Sequence, residues 1–267
     1  ALSNKESIVQ AGSILMKMAK DRGLNIFPVD SEHSALWQCI IGENEDSIDQ
    51  LILTGSGGPF RTLNKKELYN VTKEQALKHP NWSMGNKITI DSATMMNKGF
   101  EVIEAHHLFN IPYDDINIVV HPESIIHSMV KFVDGSIKAQ LSIPTMRIPI
   151  QFALSYPKRL KNKNIDIDFT QNNKFTFEKV DYDKFKCIKL AYDAGKESGT
   201  YPTVLNVSND MAVDMFLNGS INFNDIPVIV EESLNSHSSI SNPNINDIKE
   251  TILKTENFVN DYRSKII

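Results

Sequence analysis

Cysteine is scarce in this chain. There are two in 267 residues, Cys39 and Cys187, far apart and outside any CxxC pair. That excludes a disulfide framework, and it fits a reducing, intracellular compartment with both thiols as packing residues. Long hydrophobic runs are missing too. None approaches ~18 residues, so no segment reads as membrane-spanning, and no signal peptide is visible. A cytoplasmic setting is expected, or a plastid-type organelle if the source is eukaryotic. A basic surplus is absent: 28 Lys+Arg stand against 33 Asp+Glu, a net charge of −5, with no block of like charge. Nucleic acid is therefore not the expected main partner. The GxGxxG dinucleotide fingerprint occurs nowhere. Nor does a GxSxG elbow, or a Cys–His pair in a context that would suggest a nucleophile. Internal repeats and low-complexity tracts are also lacking.

What is present is ordinary globular composition, 41% hydrophobic and 23% charged, with length enough for two domains with real cores. Residues 3–22 read as a helix from the spacing of Ile8, Ala11, Ile14, Leu15, Met18 and Ala19, with a Ser3–Glu6 capping box and Gly23 behind. The spacing predicts strands over 24–29, 50–55, 87–91 and 116–122, and helices over 34–40 and 92–109. Two short helices lie between 65 and 79, the second opened by a Thr72–Gln75 box. Asp134-Gly135 between two alternating runs is a hairpin signal. Residues 156–181, rich in Asn and Lys, read as a surface linker. Four helical patterns follow, 183–197, 203–217, 225–236 and 244–264, with no strand between them, which suggests a bundle.

Several stretches carry chemistry. FPVDSEH (27–33) sets Asp30 and Glu32 two residues apart. On an extended backbone both carboxylates point the same way, and like charges that close repel unless a cation intervenes or one is protonated. Alternatively, Asp30 or Ser31 caps a helix that begins there. On helix 92–109, Asn97, Glu101 and Glu104 share one face. That face is either a solvated polar strip, or it makes Glu101 a third oxygen ligand beside Asp30 and Glu32, a set suited to Mg²⁺ or Mn²⁺ more than zinc. TGSGGPF (54–60) can form an anion nest with Ser56, or be a flexible turn. Ser92 would sit at a helix N-terminus, with Asn97 and Lys98 further along, as a phosphate site or a plain cap. HPNWSMG (79–85) holds Trp82 in a loop, closing either a core or a ligand site, and His79 either bonds a phosphate or satisfies a carbonyl. His33, His106, His107, His121 and His127 show no metal-like pairing and read as structural.

The strings NKES, PVDSEH, TGSGGPFR, HPNWSMG and DSATMMNKGFEVIEA occur in the order found in the 1-deoxy-D-xylulose 5-phosphate reductoisomerase family. With IHS (126–128), MRIPI (146–150) and YPTVLNVSN (201–209), the resemblance covers nearly all of the chain. It implies conversion of 1-deoxy-D-xylulose 5-phosphate into 2-C-methyl-D-erythritol 4-phosphate in non-mevalonate isoprenoid synthesis, with NADPH, a divalent metal and a homodimer. Position by position it makes Asp30, Glu32 and Glu101 metal ligands and Glu104 a neighbouring acid. Ser56, Ser92, Asn97 and Lys98 match the phosphate grip, with His79 beside it. Lys5 and Ser31 match groups at the substrate backbone, with Lys5 and Glu32 as candidates for proton handling. Trp82 and Met84 match a flap over the site, Met84 on the cofactor side with Asn4, Glu6 and Met146.

The family's N-terminal NADPH domain has no counterpart here. The chain is therefore expected to be the catalytic and C-terminal portions of something longer, and not competent in reduction by itself. The expected fold is α+β: a small mixed sheet with flanking helices in a catalytic, dimerising domain over 1–155, a linker over 156–181, and a four-helix bundle over 182–267. The sheet and hairpin are expected to supply the dimer interface. A rival function is a non-catalytic, metal-dependent sugar-phosphate binding module; a blander one is a dimerisation scaffold.

Overall fold

The structure, a computed structural model, describes residues 1–163, 165–171 and 174–266. Four strands lie among the described residues: β1 (Ile48–Gly55), β2 (Ile116–Val120), β3 (Ile126–Phe132) and β4 (Ile137–Leu141). They form one mixed sheet in the order β2-β1-β3-β4. β1 runs parallel to β2, pairing Leu51 with Ile116, and antiparallel to β3, pairing Leu51 with Val130; β3 and β4 form the antiparallel hairpin signalled by Asp134-Gly135. Gly135 takes φ +86° in that turn, which glycine adopts freely.

The helices are α1 (Lys5–Asp21), α2 (Ser31–Ile40), α3 (Lys73–Ala76), α4 (Asn86–Thr94), α5 (Met96–Phe109), α6 (Arg147–Ser155), α7 (Lys186–Glu197), α8 (Tyr201–Leu217), α9 (Asp225–Ser236) and α10 (Ile245–Ile266). The fold is α+β. Leu51 and Leu53 of β1 alternate inward with the strand's two-residue period. Together with Val130 and Phe132 they pack on Leu36 and Cys39 of α2 and on Val102 and Ala105 of α5. The last four helices form as the periodicity predicts. They also share cores with the first half: Ala212, Phe216 and Val259 cluster with Phe60 and Ile90, and Ala191, Leu205 and Val230 cluster with Val9, Met96 and Phe100.

Four expectations are corrected. Residues 24–29 are not a strand; their backbone contributes one isolated bridge, Leu2 to Pro28. Residues 87–91 are helical, within α4. The β-branched run Ile88-Thr89-Ile90 suggested a strand, but Thr89 Oγ1 donates to Gly85 O at 2.7 Å in the first turn and Ile90 is fully buried in the helical core. The predicted helix 92–109 starts at Met96, because Met95 takes φ +60° and divides α4 from α5. At the front of α1, Asn4 and not Ser3 is the cap, accepting from Ser7 N at 2.8 Å.

Helix α5 is held close to α7. A Cβ added at Gly99 would lie 2.5 Å from Ala191 Cβ. Gly99→Ala is therefore expected to cost about 1–3 kcal/mol by overpacking, read as a fall in thermal midpoint. Because α5 carries Asn97, Lys98 and Glu101, it should also weaken metal binding.

Candidate active site

Three helix starts meet a glycine-rich turn. Asn4 caps α1 and so makes Lys5 its first residue. Asp30 caps α2, accepting from Ser31 N at 3.0 Å, which puts Glu32 in the first turn. The capping and convergence readings of Asp30 and Glu32 thus hold together: a helix begins there, and the two carboxylates still face one point. Glu101 comes from the second turn of α5. One oxygen from each of Asp30, Glu32 and Glu101 lies within 4.8 Å of the others.

The polar face of α5 is not solvated. Lys98, Glu101 and Glu104 are all buried. Lys5 Nζ stands 2.7 Å from Asp30 Oδ2 and 3.2 Å from Glu101 Oε1, and donates to Asn97 Oδ1 at 2.7 Å. Lys98 Nζ is 3.0 Å from Glu32 Oε1, pairs with Glu101 Oε2 and donates to Thr54 O at 2.6 Å. Asn97 Nδ2 donates to Glu101 Oε1 at 2.6 Å, and Ser31 Oγ to Glu32 Oε2 at 2.6 Å. Burial alone would push the Lys5 ammonium down, but the acids around it, Asp30 foremost, hold it well above its usual value. Burial would likewise raise the Glu32 carboxyl, yet Lys98 keeps it below the usual range. The Glu101 carboxyl is pushed up, by burial first and by the Glu32 charge second.

The donor set fits a hard divalent cation. It is all oxygen, and the three atoms, all within 4.8 Å of one another, are near enough to share one ion. Asp30 Oδ2 is buried and makes no aligned hydrogen bond. Beneath it lies His33, which the sequence left as structural. Its Nε2 faces Glu101 O at 2.9 Å and its Nδ1 faces Glu104 Oε2 at 3.4 Å. Burial opposes charge on this ring, but Glu104 and Asp30 raise it to about 9. Only its spacing from Asp30, one turn along α2, could have signalled that place.

Above this floor is a cavity of about 420 Å³. Of the residues singled out in the sequence, Lys5, Glu6, Asp30, Ser31, Glu32, Ser56, His79, Trp82, Met84, Ser92, Asn97, Lys98 and Met146 line it. Glu101 and Glu104 lie behind the wall. Asn4 is absent from the lining and serves the α1 cap. Ser92 is not at a helix N-terminus, as the misread strand implied; it sits near the C-terminal end of α4. It reaches the cavity because Gly57 and Gly58, at φ +82° and +68°, fold the turn after β1 against α4. Ser56 Oγ accepts from Gly58 N at 3.2 Å and lies 3.1 Å from His79 Nε2. Since His79 Nδ1 accepts from the Asn81 and Trp82 amides at 3.2 and 3.0 Å, its proton is on Nε2 and is donated to Ser56. That leaves the Ser56 hydroxyl proton free to face a ligand oxygen. The sequence also missed Thr54, Asp91, His121, Ser124 and His127 in the wall.

Two family models match the chain: "1-deoxy-D-xylulose 5-phosphate reductoisomerase C-terminal domain" over residues 26–109 and "DXP reductoisomerase C-terminal domain" over residues 141–257. The 1-deoxy-D-xylulose 5-phosphate reductoisomerase of Desulforamulus reducens is 54% identical over 267 residues, all of this chain and 68% of that protein. Its counterpart from Caldanaerobacter subterraneus is 54% identical over 256 residues, 96% of this chain and 67% of that protein. Among solved structures, the Zymomonas mobilis reductoisomerase in complex with NADPH superposes with a TM-score of 0.93 at 42% identity, covering 98% of this chain and 68% of that one. A DOX-P reductoisomerase in complex with NADPH, fosmidomycin and magnesium gives 0.90 at 42% identity, covering 99% of this chain and 68% of that one.

Proposed function

The chain belongs to the 1-deoxy-D-xylulose 5-phosphate reductoisomerase family, and from that membership we propose that its cavity binds 1-deoxy-D-xylulose 5-phosphate beside a divalent cation for conversion into 2-C-methyl-D-erythritol 4-phosphate. The family is one of NADP-dependent oxidoreductases that also isomerise their substrate. The observation that carries the reading is the meeting of Asp30, Glu32 and Glu101 oxygens within 4.8 Å at the floor of a pocket that also presents Ser56, Ser92, Asn97 and Lys98.

Asp30, Glu32 and Glu101 would hold Mg²⁺ or Mn²⁺, which when bound supplies Lewis-acid polarisation of adjacent carbonyl and hydroxyl oxygens. Lys5, still protonated among its acids, is placed to donate a proton or hydrogen bond to a substrate oxygen. Glu32, kept as a carboxylate beside Lys98, is placed to accept one. Ser56, Ser92 and Asn97 offer neutral donors, and Lys98 a charge, to the phosphate end. Binding that remote group lets the 79–85 segment close and exclude water from the reacting carbons. NADPH supplies the hydride, and Glu6, Met84 and Met146 would flank it. The chain is expected to bind both metal and phosphosugar.

Calorimetry tests the reading. Phosphosugar binding is expected to be saturable and to require Mn²⁺ or Mg²⁺; binding indifferent to metal would overturn it. Supplying a competent NADPH domain separates the enzyme from a pure binding module, since only the enzyme then consumes NADPH.

We also propose a homodimer. β4 is an edge strand, which invites pairing with a second chain, and apolar side chains stand exposed on it and in the turn before it: Ile137 at 54% and Val133 at 69%. Light scattering is expected to give twice the 30.1 kDa chain mass, and Ile137→Lys to give the monomer.

A further inference from the structure

The turn that follows β1 is rich in residues that do not hold their own shape. Gly55, Gly57 and Gly58 fall within four positions, and glycine loses more backbone freedom on ordering than any other residue. Ser56 and the 57–58 backbone nevertheless line one cavity with Ser92 of α4. Something beyond the glycines must fix the turn.

Its far end is fixed from outside the cavity. Phe60 is anchored by its ring, edge-on to Phe223 at 5.1 Å. The residues after it are anchored through their backbone, by one side chain. Lys184 Nζ donates to Phe60 O at 3.3 Å, to Arg61 O at 2.8 Å and to Leu63 O at 2.9 Å. An ammonium has three protons radiating from one atom, and three carbonyls receive them. Among the described residues, no backbone amide reaches Arg61 O or Leu63 O.

Lys184 is itself set in place just before α7. Its amide donates to Asp181 Oδ1 at 2.9 Å, and Phe185 N donates to Asp181 O at 2.9 Å. Phe185 is buried against Met95 and Ile188. The ammonium lies 4.6 Å from the centre of that ring, within cation–π range. A second tie runs alongside. Arg61 pairs with Glu178, and Glu178 is joined to Val120, at the end of β2, through both backbone bonds, at 3.0 and 2.9 Å.

We propose that Lys184 is a positioning residue for the phosphate end of the cavity, a clamp that gathers the Phe60, Arg61 and Leu63 carbonyls and so holds the 55–63 turn in the shape that brings Ser56 to the wall it shares with Ser92. The proposal rests on the phosphosugar reading. Lys184 lies outside the cavity lining, so it acts through the backbone and not on the ligand.

Lys184→Met keeps the apolar stem and deletes the three donors. Lys184→Ala also opens room for a small cation. In both, 1-deoxy-D-xylulose 5-phosphate is expected to bind about tenfold more weakly in the presence of Mg²⁺, whereas Mn²⁺ affinity, read by calorimetry, is unchanged. In Lys184→Ala, ammonium chloride should restore phosphosugar affinity, because it brings back N–H donors. Tetramethylammonium chloride at equal ionic strength should not, because it has none. Phosphosugar affinity unchanged in both variants would overturn the proposal. So would a loss of metal and phosphosugar affinity together that ammonium does not repair, since that is the mark of a merely structural residue.

Amide hydrogen exchange across 56–63 in the ligand-free protein gives a readout independent of substrate. It should be about tenfold faster in Lys184→Met than in the wild-type chain. Faster exchange in the variant, with no phosphosugar bound even by the wild-type chain, would keep the clamp and sink the substrate. Unchanged exchange would sink the clamp whatever the cavity binds.

Discussion

Replacing Glu101 with glutamine is expected to abolish saturable Mn²⁺ binding and, with it, metal-dependent turnover. The amide keeps the size of the side chain and its bond with Asn97, but it removes one of three negative oxygens. Lys5 retains Asp30 and Lys98 retains Glu32 as partners, so the variant should still fold. In the wild-type chain a ligand at a hundred times its Kd stabilises the native state by about 2.7 kcal/mol. At roughly 2–4 °C per kcal/mol for a chain of about this size, Mn²⁺ should raise the melting temperature by about 5–10 °C. Thermal scans with and without Mn²⁺ check this directly. The shift should vanish in Glu101→Gln, and a variant that keeps it would remove Glu101 from the ligand set.

The second large effect is expected from Gly58→Ala. A Cβ there would lie 2.5 Å from the Ser92 carbonyl oxygen, and the residue sits at φ +68°. A backbone oxygen inside a helix cannot swing aside as a long side chain can. The turn must therefore lift away from α4, separating Ser56 from Ser92. The phosphosugar should bind about 10–100-fold more weakly, the loss of roughly 1.4–2.8 kcal/mol, while Mn²⁺ affinity is retained because no ligand comes from this turn. Gly219→Ala is the control. Gly219 also has a positive φ, +79°, but open space around it, so it should lose stability, about 1–2 kcal/mol, and leave both affinities alone. Equal loss of phosphosugar binding in the two variants would show that general strain, and not the Gly58–Ser92 approach, is responsible.

Where sequence patterns kept a helical character over several turns, they read correctly: Lys186–Glu197, Tyr201–Leu217 and their successors emerge within a few residues of the predicted bounds. They failed on a short helix rich in β-branched residues. Asn86–Thr94 is packed on several sides, so its β-branched residues carried no helical period, and with it went the placement of Ser92. The order of the polar motifs brought out most of the cavity lining. It could not bring out His33, His121 or His127, because each is defined by what folds against it: Glu104 from α5, the 174–178 stretch, and Ser142 O at 3.1 Å from His127 Nε2. The convergence of Asp30 and Glu32 was anticipated on an extended backbone, yet it is achieved on a helix start. There the cap residue and the second helical residue face the same side.

Lys5 and Lys98 give the acidic floor its own resident counter-ions. Stripping the protein with a chelator should therefore leave it folded, unlike a zinc finger, whose ligands have nothing else to neutralise them. A metal arriving here would exchange with two tethered ammonium groups inside a finished scaffold. Its loss would cost chemistry and leave assembly intact.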